Sequence, residues 1–258
     1  MATSGIASKD FVCAQSKPQA NARLFLFPYS GGGPAVFNKW RLGLPASIEC
    51  WSAHYPGRGS RYNEPLVKNL LELVEQLSNA IRPHLNKPFA FFGHSLGALV
   101  AFELARSLRT QQLPQPNQLF VSACGAPHMP DPHPPIHHLP DSEFQRALEN
   151  LNGIPHEVLQ NEELLNLSLP ILRADFEMIE LYQYQTGKSL DCPIIAFGGR
   201  DDPRVNRERL EGWKLQTASR FETQYFASDH FFLNNEQESL MRSISANMMF
   251  SPARNPRS

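Results

Sequence analysis

Short apolar runs recur along the chain: "RLFLF" (23–27), "IECWSA" (48–53), "FAFFG" (89–93), "QLFVSA" (118–123), "PIIAFGG" (193–199) and "FETQYF" (221–226). Their length and their content of aromatic and branched residues predict β-strands. Between most of them the pattern changes to the helical period. From Leu66 to Ile81, apolar residues stand at 66, 70, 73, 74, 77 and 81, which predicts a helix with one buried face. Strand and helix therefore alternate, the pattern of an α/β fold with a mostly parallel central sheet and helices on both faces.

One interval departs from this rhythm. About seventy residues separate "QLFVSA" from "PIIAFGG", far more than a crossover needs. The interval opens with the loop "APHMPDPHPPIHHLP" and continues with helix-like stretches at "DSEFQRALENL" and from Glu162 to about Gln183. It predicts a helical lid inserted over about 127–185, at the sheet edge where α/β folds bind ligands. The expected organisation is one domain over 21–250, with loose tails at 1–20 and 251–258.

Charge and cysteine content narrow the classes of partner. The 24 Lys and Arg nearly cancel the 25 Asp and Glu, giving a formal net charge of −1, so no global field is available to hold nucleic acid or an anionic bilayer. Cys13, Cys50, Cys124 and Cys192 are far apart and form no CxxC pair, which argues against a zinc site and a disulfide framework. The first residues lack the basic flank and apolar core of a signal peptide. A soluble, cytoplasmic monomer is the expectation.

The stretch "FFGHSLGALVAFELA" (91–105) carries the chemistry. Gly93-His94-Ser95-Leu96-Gly97 is a G-x-S-x-G turn between an apolar strand and a helix, where small flanking residues let a serine occupy a sharp, strained corner. A serine hydroxyl needs a base, and the base needs an orienting acid, later in the chain and in the order Ser, Asp, His. "IIAFGGRDDPRV" supplies Asp201 and Asp202 at the end of one strand, and "TQYFASDHFFL" supplies His230 at the end of the next. Asp202, three residues after Gly199 and just before Pro203, has the usual form of this loop in serine hydrolases of this type, and Asp201 is the alternative. The amide of Leu96, directly after the serine, is a candidate oxyanion donor.

Other clusters point to less. His128, His133, His137 and His138 share one loop, but their spacing suits no metal geometry and prolines scatter their directions, so no metal is expected. Arg58 and Arg61 in "PGRGSR" could meet a phosphate or an acidic partner surface, but isolated arginines are usually solvated, and no site is assigned to them. Leu164, Leu165, Leu167, Leu169, Ile171 and Leu172 line an acyl tunnel or pack the lid's helices, and packing is the expectation for most of them.

Six motifs together resemble the type II thioesterases of nonribosomal peptide and polyketide synthesis: "LFLFPYSGGGPAVFNKW", "YPGRGSRYNEP", "FFGHSLGALVAFELAR", "LPILRADFEMIELY", "FGGRDDPRV" and "SDHFFL". The resemblance implies an α/β-hydrolase fold with a helical lid, and a Ser95, Asp202 and His230 triad without a cofactor. It implies a second oxyanion donor at the amide of Ser30. It also implies substrates held as thioesters on the phosphopantetheine of carrier proteins, for editing or product release, with relatives that release medium-chain fatty acids. Two places depart from the family pattern: "SACGAPHMP", where an arginine-containing stretch is expected, and Ser30, where alanine is common. A small-ester hydrolase or acyltransferase of the same fold, and a non-catalytic carrier-binding protein, are the alternatives.

Overall fold

The computed structural model describes residues 9–150 and 161–248. Seven strands form one sheet: β1 (Phe11–Val12), β2 (Ala22–Phe27), β3 (Ile48–Ala53), β4 (Phe89–His94), β5 (Gln118–Ser122), β6 (Ile194–Gly199) and β7 (Phe221–Phe226). Their spatial order is β1-β3-β2-β4-β5-β6-β7, and every pairing except β1 with β3 is parallel. The helices used below are α1 (Trp40–Gly43), α2 (Leu70–Ile81), α3 (Leu96–Thr110), α4 (Asp141–Asn150), α5 (Glu162–Glu180), α6 (Arg207–Glu211), α7 (Phe232–Asn235) and α8 (Gln237–Asn247).

Alternation along the strands builds two cores. Successive side chains of a strand point to opposite faces. Thus Phe25, Phe27, Phe91 and Val121 pack with α2 and α3, while Leu24, Leu26, Phe92 and Phe120 pack with Trp40 and with Leu240 and Ile244 of α8. Both faces are covered, so the central strands read as continuous apolar runs rather than alternating ones. A third, smaller cluster of Ile136, Phe144, Leu148, Leu165, Leu169, Leu172 and Phe176 lies within the interval between β5 and β6 and joins α4 to α5.

All six expected strands form, with ends shifted by at most one residue. The helix expected from Leu66 begins instead at Leu70, because the Asn69 side chain accepts the N–H groups of Leu71 (2.9 Å) and Glu72 (3.1 Å) and caps it. The helices of the lid span Asp141–Asn150 and Glu162–Glu180, while 151–160 and the expected tail at 251–258 lie outside the described residues. Within the stretch expected as an amino-terminal tail, Phe11 is fully buried and β1 pairs antiparallel with β3. The Phe11 ring meets Phe25 and Phe27 edge-on at 5.5 and 6.2 Å, which gives this short segment an anchor. Among the described residues no helix is long and apolar enough to cross a membrane.

Phe91 is fully buried and lies within 6 Å of the rings of Phe25, Phe27 and Phe89. Phe91→Ala is expected to lower stability by about 3–5 kcal/mol, read by urea unfolding. A loss below about 1 kcal/mol would show that the strand tolerates a cavity there.

Candidate active site

Ser95 occupies the corner between β4 and α3 with φ 54° and ψ −119°, a left-handed conformation that a side-chain-bearing residue seldom adopts. The two glycines make the corner possible. A Cβ added at Gly93 would lie 2.0 Å from the Gly97 carbonyl oxygen, and one added at Gly97 would lie 2.0 Å from that of Phe27. The Ser95 amide is fixed to the Ser122 carbonyl at 2.8 Å, at the end of the neighbouring strand. Its hydroxyl has no hydrogen-bond partner among the described residues and lines a cavity of about 380 Å³, together with Leu96 and His230.

The loops after β6 and β7 bring the acid and the imidazole together. Main-chain bonds from Arg200 to Phe226 (2.8 Å) and from Asp201 to Ser228 (3.1 Å) hold these loops side by side. His230 Nδ1 lies 2.8 Å from Asp202 Oδ2, with both residues buried. Asp202 Oδ1 also accepts the N–H groups of Arg204 (2.8 Å) and Val205 (3.2 Å). Burial pushes its carboxyl up, but the hydrogen bond and charge of His230 and the two amides outweigh this and hold it below the usual aspartate range. Asp201 is exposed, so the choice between the two aspartates falls on Asp202 as the partner of the ring.

His94, inside the turn, has a role that the sequence did not suggest. Its ring is fully buried, with Nδ1 2.9 Å from Ser122 Oγ and Nε2 3.0 Å from the His230 carbonyl oxygen. A carbonyl only accepts, so Nε2 carries the proton and donates, while Nδ1 accepts from the Ser122 hydroxyl. Burial first, and the neighbouring His230 second, hold the His94 imidazole down to about 3, against the pull of Asp202. A neutral His94 thus ties the backbone of His230 to the turn that carries Ser95.

The proposed oxyanion donors lie on two elements. Leu96 is the first residue of α3, so its N–H has no acceptor within the helix, and it lines the cavity beside Ser95. Ser30 stands in the loop after β2, three residues beyond Phe27, whose carbonyl touches the turn at Gly97. The cavity-lining residues do not include Ser30, and its buried hydroxyl makes no hydrogen bond among the described residues.

Met129, Ile179, Tyr182 and Val205 supply apolar cavity wall, while Asp131, Arg204 and Arg209 supply a polar rim. At the departure "SACGAPHMP", Cys124 lines the cavity, and a Cβ added at Gly125 would lie 3.0 Å from the Arg209 guanidinium. An arginine from α6 therefore fills the space that the glycine leaves. Leu165, Leu169 and Leu172 pack within the lid, Leu164 and Leu167 are exposed, and none of the five leucines and one isoleucine singled out in the lid lines the cavity.

The histidine loop disperses. His133 faces Asp131 at 2.8 Å, His137 faces Glu180 at 2.5 Å, and His128 meets Gln216 at 2.9 Å. No group of three metal-ligating side chains gathers among the described residues. Arg58 and Arg61, expected as solvated, are both buried. Arg61 pairs with Asp10 and Glu64, and Arg58 with Asp175, so their charges are met inside the molecule.

The family model for the thioesterase domain matches residues 22–248. The chain belongs to this family. Among similar proteins, "Gramicidin S biosynthesis protein GrsT" of Aneurinibacillus migulanus is 44% identical over 226 residues, covering 88% of each chain. "Linear gramicidin dehydrogenase LgrE" of Brevibacillus parabrevis is 45% identical over 233 residues, covering 89% of each, although its name is that of a dehydrogenase. The solved type II thioesterase BorB, from the borrelidin biosynthetic cluster, superposes with a TM-score of 0.87 at 31% identity, covering 94% of this chain and 98% of that one. This thioesterase-family chain thus has the α/β fold expected from its strand pattern, and the resemblance read from its six motifs holds across nearly all of it.

The neutral His94 has a consequence for stability against pH. The unfolded chain protonates this histidine near pH 6.5, the folded one only near 3. Between those values the unfolded state binds more protons, so stability falls as pH is lowered from about 6.5 towards 3. This group is expected to contribute up to about 1.4 kcal/mol per pH unit, read by urea unfolding at pH 6.5, 5.5 and 4.5. His94→Gln is expected to show a shallower slope; equal slopes would show that His94 is protonated in the fold.

Proposed function

We propose that the protein is a serine thioesterase that hydrolyses acyl or aminoacyl thioesters from the phosphopantetheine arm of carrier proteins, in editing or product release during nonribosomal peptide or polyketide synthesis. The observation that carries the catalytic part is the 2.8 Å bond between His230 and Asp202, with the ring on the same cavity as the strained Ser95. Support for the pathway comes from GrsT, named for gramicidin S biosynthesis, and from BorB, a type II thioesterase of the borrelidin cluster.

In this mechanism Ser95 Oγ adds to the thioester carbonyl carbon while its proton passes to Nε2 of His230, the ring nitrogen not engaged by Asp202. Asp202 fixes the tautomer and stabilises the imidazolium. The amides of Leu96 and Ser30 take the charge that develops on the carbonyl oxygen. Collapse of the tetrahedral species breaks the carbon–sulfur bond, and the departing thiolate takes the proton from His230. A thiolate leaves readily, so this step asks little of the general acid. Water then attacks the acyl-serine, giving its proton to His230. Collapse returns that proton to Ser95 and frees the acid.

Ser95→Ala is expected to fold as the wild type does, yet to form no acyl-enzyme and to lose at least ~10³ in rate. Labelling with a fluorophosphonate, followed by mass spectrometry of the adduct, should place the label on Ser95; unchanged turnover in the variant would reject it as nucleophile. Comparing acyl carrier-protein thioesters with acyl-coenzyme A and simple oxygen esters tests the substrate class. A strong preference for small oxygen esters would favour the small-ester hydrolase instead.

A further inference from the structure

Asp175 is fully buried in the lid helix α5 and accepts three hydrogen bonds. Arg58 gives two of them, Nη1 to Oδ2 and Nη2 to Oδ1, each 2.7 Å long. The third comes from the backbone amide of Gly31, 2.7 Å from Oδ2. Arg58 Nη1 also donates to the Gly32 carbonyl at 3.3 Å, and its guanidinium lies over the buried Tyr55 ring, 5.3 Å from the centroid. Gly31 has φ +77°, and a Cβ added there would lie 2.8 Å from Leu172 Cδ2, one helical turn before Asp175. One face of the lid helix therefore meets the glycine loop twice, once by packing and once by charge.

This loop is the one that carries the second oxyanion donor. The Gly32 amide bonds to the Tyr29 carbonyl at 2.9 Å and the Gly31 amide to Asp175, while the Ser30 amide, like that of Gly33, has no acceptor among the described residues; of the two, Ser30 stands nearer along the chain to Phe27, whose carbonyl touches the turn of Ser95. Resting on the thioesterase reading above, the geometry points to Arg58 and Asp175 as a positioning pair through which the lid helix holds the Ser30 amide in its catalytic orientation. Asp175 fixes the peptide directly after that amide, and Arg58 fixes the Gly32 carbonyl beyond it. The arginine has a second effect. A bare carboxylate so near the oxyanion site would oppose the negative charge of the transition state, and pairing with Arg58 neutralises it without giving up the acceptor.

The test uses the full-length protein, octanoyl-N-acetylcysteamine as thioester substrate and octylboronic acid as a mimic of the tetrahedral species. Arg58→Met/Asp175→Leu replaces the buried charges by apolar groups of similar size, so no orphan ion remains, but removes the acceptor of the Gly31 amide. It is expected to keep a cooperative thermal transition and KM within about threefold, to lose about 10²-fold in kcat, and to weaken boronate binding in proportion. Asp175→Asn, which keeps one acceptor oxygen, is expected to fall between this variant and wild type, at about tenfold. A folded double variant with kcat within twofold of wild type would overturn the pair's positioning role. Should the double variant not fold, Asp175→Asn decides by the same criterion. Wild-type protein that neither turns over the thioester nor takes up a fluorophosphonate would defeat the thioesterase reading and this inference with it. Active wild type beside equally active folded variants defeats the inference alone.

Discussion

The backbone of β2 and the first turn of α3 touch without any side chain between them, and the geometry of the site follows from that contact. A Cβ at Gly97 would stand 2.0 Å from the Phe27 carbonyl oxygen, so only glycine lets the two segments approach this closely. Because the strained Ser95 sits two residues before Gly97 and Ser30 three residues after Phe27, the proposed nucleophile and the proposed second oxyanion donor flank a single backbone contact. Strain of the kind seen at Ser95 persists only where the surroundings over-determine it. Here the β4 pairing, the Ser122 carbonyl and the helix start do so together.

The acid and base are held by a different device. β6 and β7 pair in parallel from Ile194 with Phe221 to Gly199 with Phe226, and this register delivers Asp202 and His230 at the same end of the sheet. Main-chain bonds then hold the two loops side by side, and His94 bonds the His230 carbonyl back to the turn. A neutral imidazole suits this place. It supplies one donor and one acceptor, which the carbonyl and the Ser122 hydroxyl need, and adds no positive charge beside the base. Asp202, held ionised by three donors, remains able to stabilise an imidazolium.

Much of this was legible in the sequence, because it is encoded locally. Each strand is a contiguous apolar run, the turn is five residues, and the acid and base follow their strands directly. What escaped the reading depends on distant partners. β1 has two residues, too few to show a period, and exists because Phe11 finds Phe25 and Phe27. The start of α2 was set by the Asn69 side chain rather than by the apolar period. Arg58 reads as a surface arginine in a glycine-rich loop; its partner is 117 residues away, and no local pattern marks it. His94 likewise reads as a variable position inside the motif, until Ser122 and His230 are brought to either side of its ring.

The lid follows the same division between local and distant contacts. Its apolar residues, from Ile136 to Phe176, make a cluster of their own, whereas Met178, two residues further along α5, already belongs to the main core. The carboxyl end of the helix is thus anchored in the body of the protein, while its middle is joined to the body by Arg58 and Asp175 and by the contact of Leu172 with Gly31. The half-exposed pair of Lys68 and Glu177, at 3.1 Å, adds little to that junction because solvent screens it. Swinging the helix away about its anchored end would separate Asp175 from both the arginine and the Gly31 amide, exposing two buried charges and freeing the glycine loop together. The contacts that hold the middle of the lid helix are thus the same contacts that hold the glycine loop, so the position of one constrains the position of the other.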